Sequence, residues 1–495
     1  MSIVDRRSFL KRGAALGGGV LALAGPMQAI AARAVLAKGS SGIAANNGGY
    51  GPLGPVGDHT DGIVRLHLPQ GFQYRSFTPT GTVMDDGVVT PGRHDGMAAF
   101  HLGGGRVRLV RNQEINNPGP TLGDPSRAYD PMAQGGTTTL EVSRHAEQVS
   151  SWVSINGTQM NCAGGATPWN TWITAEETVN GPDVTPDFTT VPNDPLHKPH
   201  GFIFEVPANR NMNEYTPGKP ILSAGRFPHE AVDVDPVSGF LYETEDNFGF
   251  PSGFYRYKPP VHPRRAGGYV DGGVLEMLAV SGQPNADLSL GQPPGATYPV
   301  EWVTIDEPYP GAPNGDGSFD TLTDQNVALT FVGDQGRAKG GAIFSRLEGI
   351  FFNDGRIYLV STQGGATPPG FPGPSGGHGR GYGQVWVYDT ATETITLLFE
   401  SPSPEVLELP DNVAVTPGGT VLLNEDGPVE NYLRGLTPAG EIFDFARNAI
   451  AGREAEEFAG STWAQGTRTL FVNIQSGSAI SFAIWGPWGK GAFGS

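Results

Sequence analysis

The sequence carries one cysteine, Cys162, and a set of acids that return in similar surroundings along the chain. Asp95, Glu230, Glu348 and Asp411 each stand near the start of an apolar run, as Cys162 does, and Glu457 stands two places out of that register. A second set closes the runs that follow: Asn112 and Glu114, Glu176 and Glu177, Glu245 and Asp246, Glu425 and Asp426. Carboxylates crowded together repel strongly unless cations neutralise them. Hard oxygen donors suit calcium, and a thiolate beside carboxylates suits a transition metal such as iron. In FSRLEGI, Arg346 is two residues from Glu348, so on a strand both side chains leave the same face. A guanidinium beside an acid-bound cluster grips phosphate bidentately, although taken alone this pair also reads as a structural ion pair. His94 and His229 precede two of the acids and read as groups that orient them or pack the fold.

The elements that must position these residues repeat. Six stretches share one layout, an apolar strand, a Gly/Pro/Asn/Asp turn and a second strand with a polar end. They are HDGMAAFHLGGGRVRLVRNQE (94–114), NCAGGATPWNTWITAEE (161–177), HEAVDVDPVSGFLYETED (229–246), LEGIFFNDGRIYLVSTQGG (347–365), PDNVAVTPGGTVLLNED (410–426) and EEFAGSTWAQGTRTLFVNIQ (456–475). Alternation and turn chemistry make each a β-hairpin. One hairpin cannot bury both its faces, whereas a ring of them can. GFIFEV (201–206), GFYRYK (253–258) and GQVWVYD (383–389) supply further strands. The expected fold is therefore all-β, a six-bladed β-propeller with elaborated loops, in which the first strand of each blade lines a central channel. The gap between the third and fourth hairpins is the exception in spacing. It holds GGVLEMLAV, EWVTID and a Gly/Asp-rich stretch around Asn314 to Gly317, and reads as a loop-rich insertion around residues 260–340 or as a hidden seventh blade.

The chain opens with Arg6-Arg7, then Ser8, Phe9, Leu10 and Lys11, followed by an apolar Gly-rich stretch from Ala14 to Gly25 and small residues at Ala29, Ala31 and Ala34. This is the pattern of a twin-arginine signal peptide over residues 1–34, which implies passage through the twin-arginine translocase and a periplasmic or secreted product. Gly17, Gly18, Gly19 and Pro26 break the stretch, so stable membrane insertion is not expected. Residues 35–495 read as one domain. Gly 73 and Pro 43 suit many short strands joined by tight turns. The net charge of −18 disfavours nucleic acid and anionic membranes as partners. A single cysteine forms no internal disulfide, so the core alone must hold the fold.

Taken in order, these segments resemble the PhoX-type alkaline phosphatase family. The resemblance rests on the twin-arginine start, NCAGGATPWNTW followed by Glu176-Glu177, GRFPHEAVDVDP with ETED, FSRLEGI, GQVWVYD, LPDNVAVTPGG with NED, and LFVNIQ near the C-terminal GPW. It implies a six-bladed propeller carrying a mixed cluster of ferric iron and calcium that hydrolyses small-molecule phosphate esters outside the cytoplasm. It would make Cys162, Glu230 and Glu348 iron ligands, Asp246 and Glu177 calcium ligands with Asn112 and Glu457 as further ones, and Arg346 the holder of substrate phosphate. The sequence departs from the family at Gln113, where His is common, at Ala175, often Cys, and at the AQGT turn after Trp463, which lacks Ser-Pro-Asp-Gly. None of these removes an iron ligand. No serine nucleophile elbow or phosphate-binding P-loop is legible. Two rivals are a calcium-dependent propeller hydrolase of lactonase type and a non-catalytic, calcium-stabilised binding propeller, neither of which needs Cys162 or Arg346.

Overall fold

In the computed structural model the described residues are 46–214, 218–309, 322–367, 378–464 and 466–494. The expected signal peptide, and the Gly/Asp-rich stretch around Asn314 to Gly317, lie outside them. Strands dominate, and each predicted hairpin supplies the first two strands of an antiparallel unit. The six first strands are His94–Gly103, Asn161–Thr167, His229–Val234, Leu347–Asn353, Pro410–Val415 and Phe458–Ala464. Each packs against the next, and the sixth packs back against the first, so they close a ring around a channel. Among the described residues no helix is long and apolar enough to cross a membrane.

Outer strands complete each unit. The first unit adds Gly135–Ser143 and Val149–Thr158, and the second adds Ile203–Pro207. The last two units borrow strands from the other end of the chain. Leu53–Gly57 and Val64–Pro69 extend the fifth, and Gln73–Phe77 pairs with Ile480–Trp485 to finish the sixth. Tyr50, Phe72, Phe443, Phe445, Trp488 and Phe493 pack edge to face and tilted beneath this junction.

The long gap contains Phe254–Lys258 and Val274–Val280, which complete the third unit, and Thr297–Thr304, which joins the third and fourth units into one nine-stranded sheet. It also contains a helix, Gln325–Ala338, capped by the Asp324 side chain accepting from Asn326 N at 3.0 Å. Gly336 lets that helix lie directly on the third unit, because a Cβ there would fall 2.2 Å from Met277 Sδ.

Each first strand carries a bulge near its start, where two residues oppose one on the partner strand. A bulge re-aims side chains locally. Neighbouring first strands also approach closely there. A Cβ on Gly96 would sit 2.6 Å from Ala163 Cα, and one on Gly349 would sit 2.6 Å from the Asp411 carbonyl oxygen.

Candidate metal centre

The repeat fixes equivalent positions to the residue. Asp95, Cys162, Glu230, Glu348 and Asp411 are each the second residue of a first strand, inside its bulge; Ala459 holds that place in the sixth unit, and Glu457 precedes the strand. Across the hairpin, the backbone N–H groups of Glu114, Glu177, Asp246, Thr362, Asp426 and Gln475 donate to the carbonyls of Arg93, Met160, Pro228, Arg346, Leu409 and Glu457, at 2.9–3.1 Å. Four of those acceptors, Arg93, Met160, Arg346 and Leu409, are left-handed, with φ of 55°, 48°, 45° and 49°. Non-glycine residues pay a strain cost in that region.

Where two acids are adjacent, the first is buried in structural bonds. Glu176 accepts from the N–H groups of Gln159, Gly201 and Phe202 and lies 2.7 Å from His200 Nδ1. Glu245 accepts from Gly253 N and the Tyr255 hydroxyl, both at 2.8 Å. Glu425 accepts from Glu408 N, Tyr432 N and Arg434 Nε. Of the second acids of these pairs, Glu177 and Asp426 lie within reach of other ligand atoms, and Asp246 pairs with Arg346.

Three groups of ligand atoms result, the atoms of each lying within 4.8 Å of one another: Glu114, Cys162 and Glu177; Glu230, Glu348 and Asp411; and Asp411, Asp426 and Glu457. Cys162 Sγ donates to Asp95 Oδ2 at 3.3 Å, and Gln475 Nε2 donates to the same oxygen. Glu230 is fully buried, and neither of its carboxylate oxygens has a hydrogen-bond partner. Burial, then repulsion from Glu348 and Asp411, holds its carboxyl well above the usual range. Burial and neighbouring acids do the same to Asp95 and Asp411, and push the Cys162 thiol up. A buried carboxylate with no donor is costly. One soft donor among many hard ones, with an orphaned carboxylate between them, fits a site built for cations.

Arg346 stands at the edge of this ring. Its Nε and Nη2 donate to Asp246 Oδ1 and Oδ2 at 3.0 and 2.8 Å, and Nη2 also donates to Glu348 Oε1 at 2.6 Å. Its guanidinium lies 5.4 Å from the Phe248 ring centroid. Nη1 makes no hydrogen bond among the described residues.

Of the expected site residues, Cys162, Glu177, Glu230, Glu348 and Glu457 fall in the three groups, and Arg346 adjoins them. Two of the expected ligands stand outside the three groups. Asn112 stands apart, because Oδ1 accepts from Trp172 Nε1 and Thr174 Oγ1, and Nδ2 donates to the carbonyls of Cys162 and Ala163. These four bonds clamp the Cys162 strand. Asp246 is in none of the groups, and Arg346 spans both its oxygens. Conversely, Glu114, Asp411 and Asp426 join the groups without having been counted among the expected ligands. Their signal was the repeat itself, which places them opposite or beside residues that were.

The sequence matches the alkaline phosphatase PhoX family over residues 49–151 and 144–478. The chain belongs to the PhoX family. PhoX from Pseudomonas fluorescens, solved in complex with vanadate, a transition-state analogue, is 18% identical over 90% of this chain and 98% of its own, with a TM-score of 0.62. At that identity the likeness speaks for the fold, and the propeller-like architecture of this PhoX-family chain agrees with it. A gluconolactonase from Xanthomonas campestris is 10% identical over 88% of this chain and 98% of its own, with a TM-score of 0.37. No curated protein matches this PhoX-family sequence.

Proposed function

We propose that this chain is an exported, metal-dependent phosphatase that hydrolyses phosphate esters at an iron–calcium cluster in the channel of a six-bladed propeller. The observation that carries the reading is Glu230, whose two buried oxygens lack partners at the centre of the ring. Cys162, Glu230 and Glu348 would hold iron, and Glu177 and Glu457, joined by Glu114, Asp411 and Asp426, would hold calcium. The bound cations would supply Lewis acidity, drawing charge from the phosphoryl oxygens as the ester bond breaks. As a ligand Cys162 would have to give up the proton it donates to Asp95 Oδ2, because a thiol must ionise to bind a metal.

Arg346 grips the phosphate. Asp246 and Glu348 fix the plane of its guanidinium and occupy Nε and Nη2, which leaves the Nη1 donors for a phosphate oxygen. Asp246 is thus a positioning residue. A calcium-only hydrolase or a binding propeller has no use for a thiol within ligand distance of Glu114 and Glu177. Export through the twin-arginine translocase to the periplasm or beyond accords with the N-terminal residues and with family membership.

The test is to purify the native protein, measure iron and calcium, and assay a chromogenic phosphomonoester with and without a calcium chelator. Activity that needs both metals supports the reading, and iron-free protein with full activity overturns it. Arg346→Ala should weaken inhibition by inorganic phosphate far more than it lowers metal content; equal losses would make Arg346 purely structural.

A further inference from the structure

Beside the metal groups lies a cavity of about 210 Å³ lined by Glu177, which belongs to one group, and by Asp246, which holds Arg346. The rest of its character is different. Phe188, Phe248, Phe250 and Leu329 line the same space. Phe188 is 53% exposed, a large aromatic side chain held near solvent at the lip of an acidic channel. Phe248 lies under the Arg346 guanidinium, so this wall reaches the group assigned to the phosphate. Leu329 comes from the helix Gln325–Ala338, which belongs to the long insertion and not to the repeat. The ring of hairpins therefore supplies Glu177 and Asp246, and segments outside it supply these apolar side chains together with Asp187, Gln325 and Asn326.

We propose that this cavity receives the leaving group of the ester and selects phosphomonoesters whose alcohol is a planar aromatic ring. The inference rests on the phosphatase reading and adds the substrate class to it. An ester bound by its phosphate at Arg346 must direct its organic part away from the acids, and a π-face is what Phe side chains recognise beyond simple area burial. A small polyol such as glycerol leaves these walls uncovered and gains nothing from them.

The test compares kcat/KM for 1-naphthyl phosphate and glycerol 2-phosphate in the metal-loaded wild-type protein, in Phe188→Ala and in Leu329→Ala. Intrinsic leaving-group reactivity cancels when each variant is divided by wild type. The aromatic-to-polyol ratio should fall roughly three- to ten-fold in Phe188→Ala, the range expected for loss of one aromatic contact, and should also fall in Leu329→Ala. If both substrates change by the same factor in both variants, or the ratio does not move, the cavity is not a leaving-group site. If wild type hydrolyses neither ester, the phosphatase reading itself fails and the assignment goes with it.

Discussion

Replacing Glu230 by Gln should move stability in opposite directions in the metal-free and metal-loaded protein. Glu230 is fully buried with both oxygens unpartnered, and Glu348, Asp411, Glu177 and Asp95 all repel it. Without cations the buried Glu230 takes up a proton, which at pH 7 costs about 3 kcal/mol, whereas an amide needs no proton and adds about 1 kcal/mol for its unpaired N–H groups. The metal-free variant should therefore be more stable than metal-free wild type by about 2 kcal/mol. For a chain of 495 residues the unfolding entropy is about 1 kcal/mol/K, so the midpoint rises by about 2 °C. In the loaded protein the sign reverses. A cation present at a hundred times its Kd contributes about 3 kcal/mol, and losing it outweighs the gain of about 2 kcal/mol, which leaves the variant about 1 °C below loaded wild type. The assay is calorimetry on both proteins, exhaustively chelated and then reloaded, with metal content measured alongside. A Glu230→Gln variant that melts lower than wild type in both states would show that protein groups hold this carboxylate, and the reasoning from its orphaned oxygens would be wrong.

Further outcomes follow from other sites. Burial alone would lower the His200 pKa, but Glu176 at 2.7 Å and Asp130 at 3.5 Å outweigh it and raise the value to about 9. A raised histidine stabilises fully below its unfolded pKa near 6.5, and the contribution is lost as pH climbs through 9. It amounts to about 3 kcal/mol. Denaturant titrations from pH 6 to pH 10 should thus show a steeper loss in wild type than in His200→Gln, and parallel curves would contradict the charge assignment. Gly96→Ala should destabilise the protein by about 2 kcal/mol or more and lower iron content, because its Cβ meets Ala163 Cα and the Cys162 carbonyl at 2.6 and 2.9 Å. Asn112→Ala should leave calcium stoichiometry unchanged while costing about 2–3 kcal/mol from four broken hydrogen bonds, as metal analysis and thermal melts would show.

The ring positions were legible because the repeat is written in residue types. Asp95, Cys162, Glu230, Glu348 and Asp411 share one register, and even the two-place offset of Glu457 carries through to the fold. What sequence did not reveal depends on partners far along the chain. The reason that Glu177 and not Glu176 lies with Cys162 is that Glu176 is consumed by Gly201, Phe202 and His200, which arrive on a later loop. Asn112 accepts hydrogen bonds from Trp172 and Thr174 of the next unit. Asp246 is claimed by an arginine 100 residues on. The helix Gln325–Ala338 escaped notice for a local reason. Gly333 and Gly336 weaken its propensity, and its buried face consists of only Val332 and those two glycines, so no apolar stripe announces it.

The seam that joins the two ends of the chain has a consequence for how the protein is made. Gln73–Phe77 emerges from the ribosome among the earliest of the described strands, yet its partner Ile480–Trp485 is among the last. The early strand must wait, with an unsatisfied edge, through the synthesis of six hairpins, and contacts this remote in sequence form slowly. Any C-terminal truncation before residue 480 removes the partner of that strand, so it leaves an open sheet prone to pairing with other chains instead of a smaller ring. Premature termination should thus yield aggregates, and the acids on adjacent units should gather into one channel only after the final strand is translated.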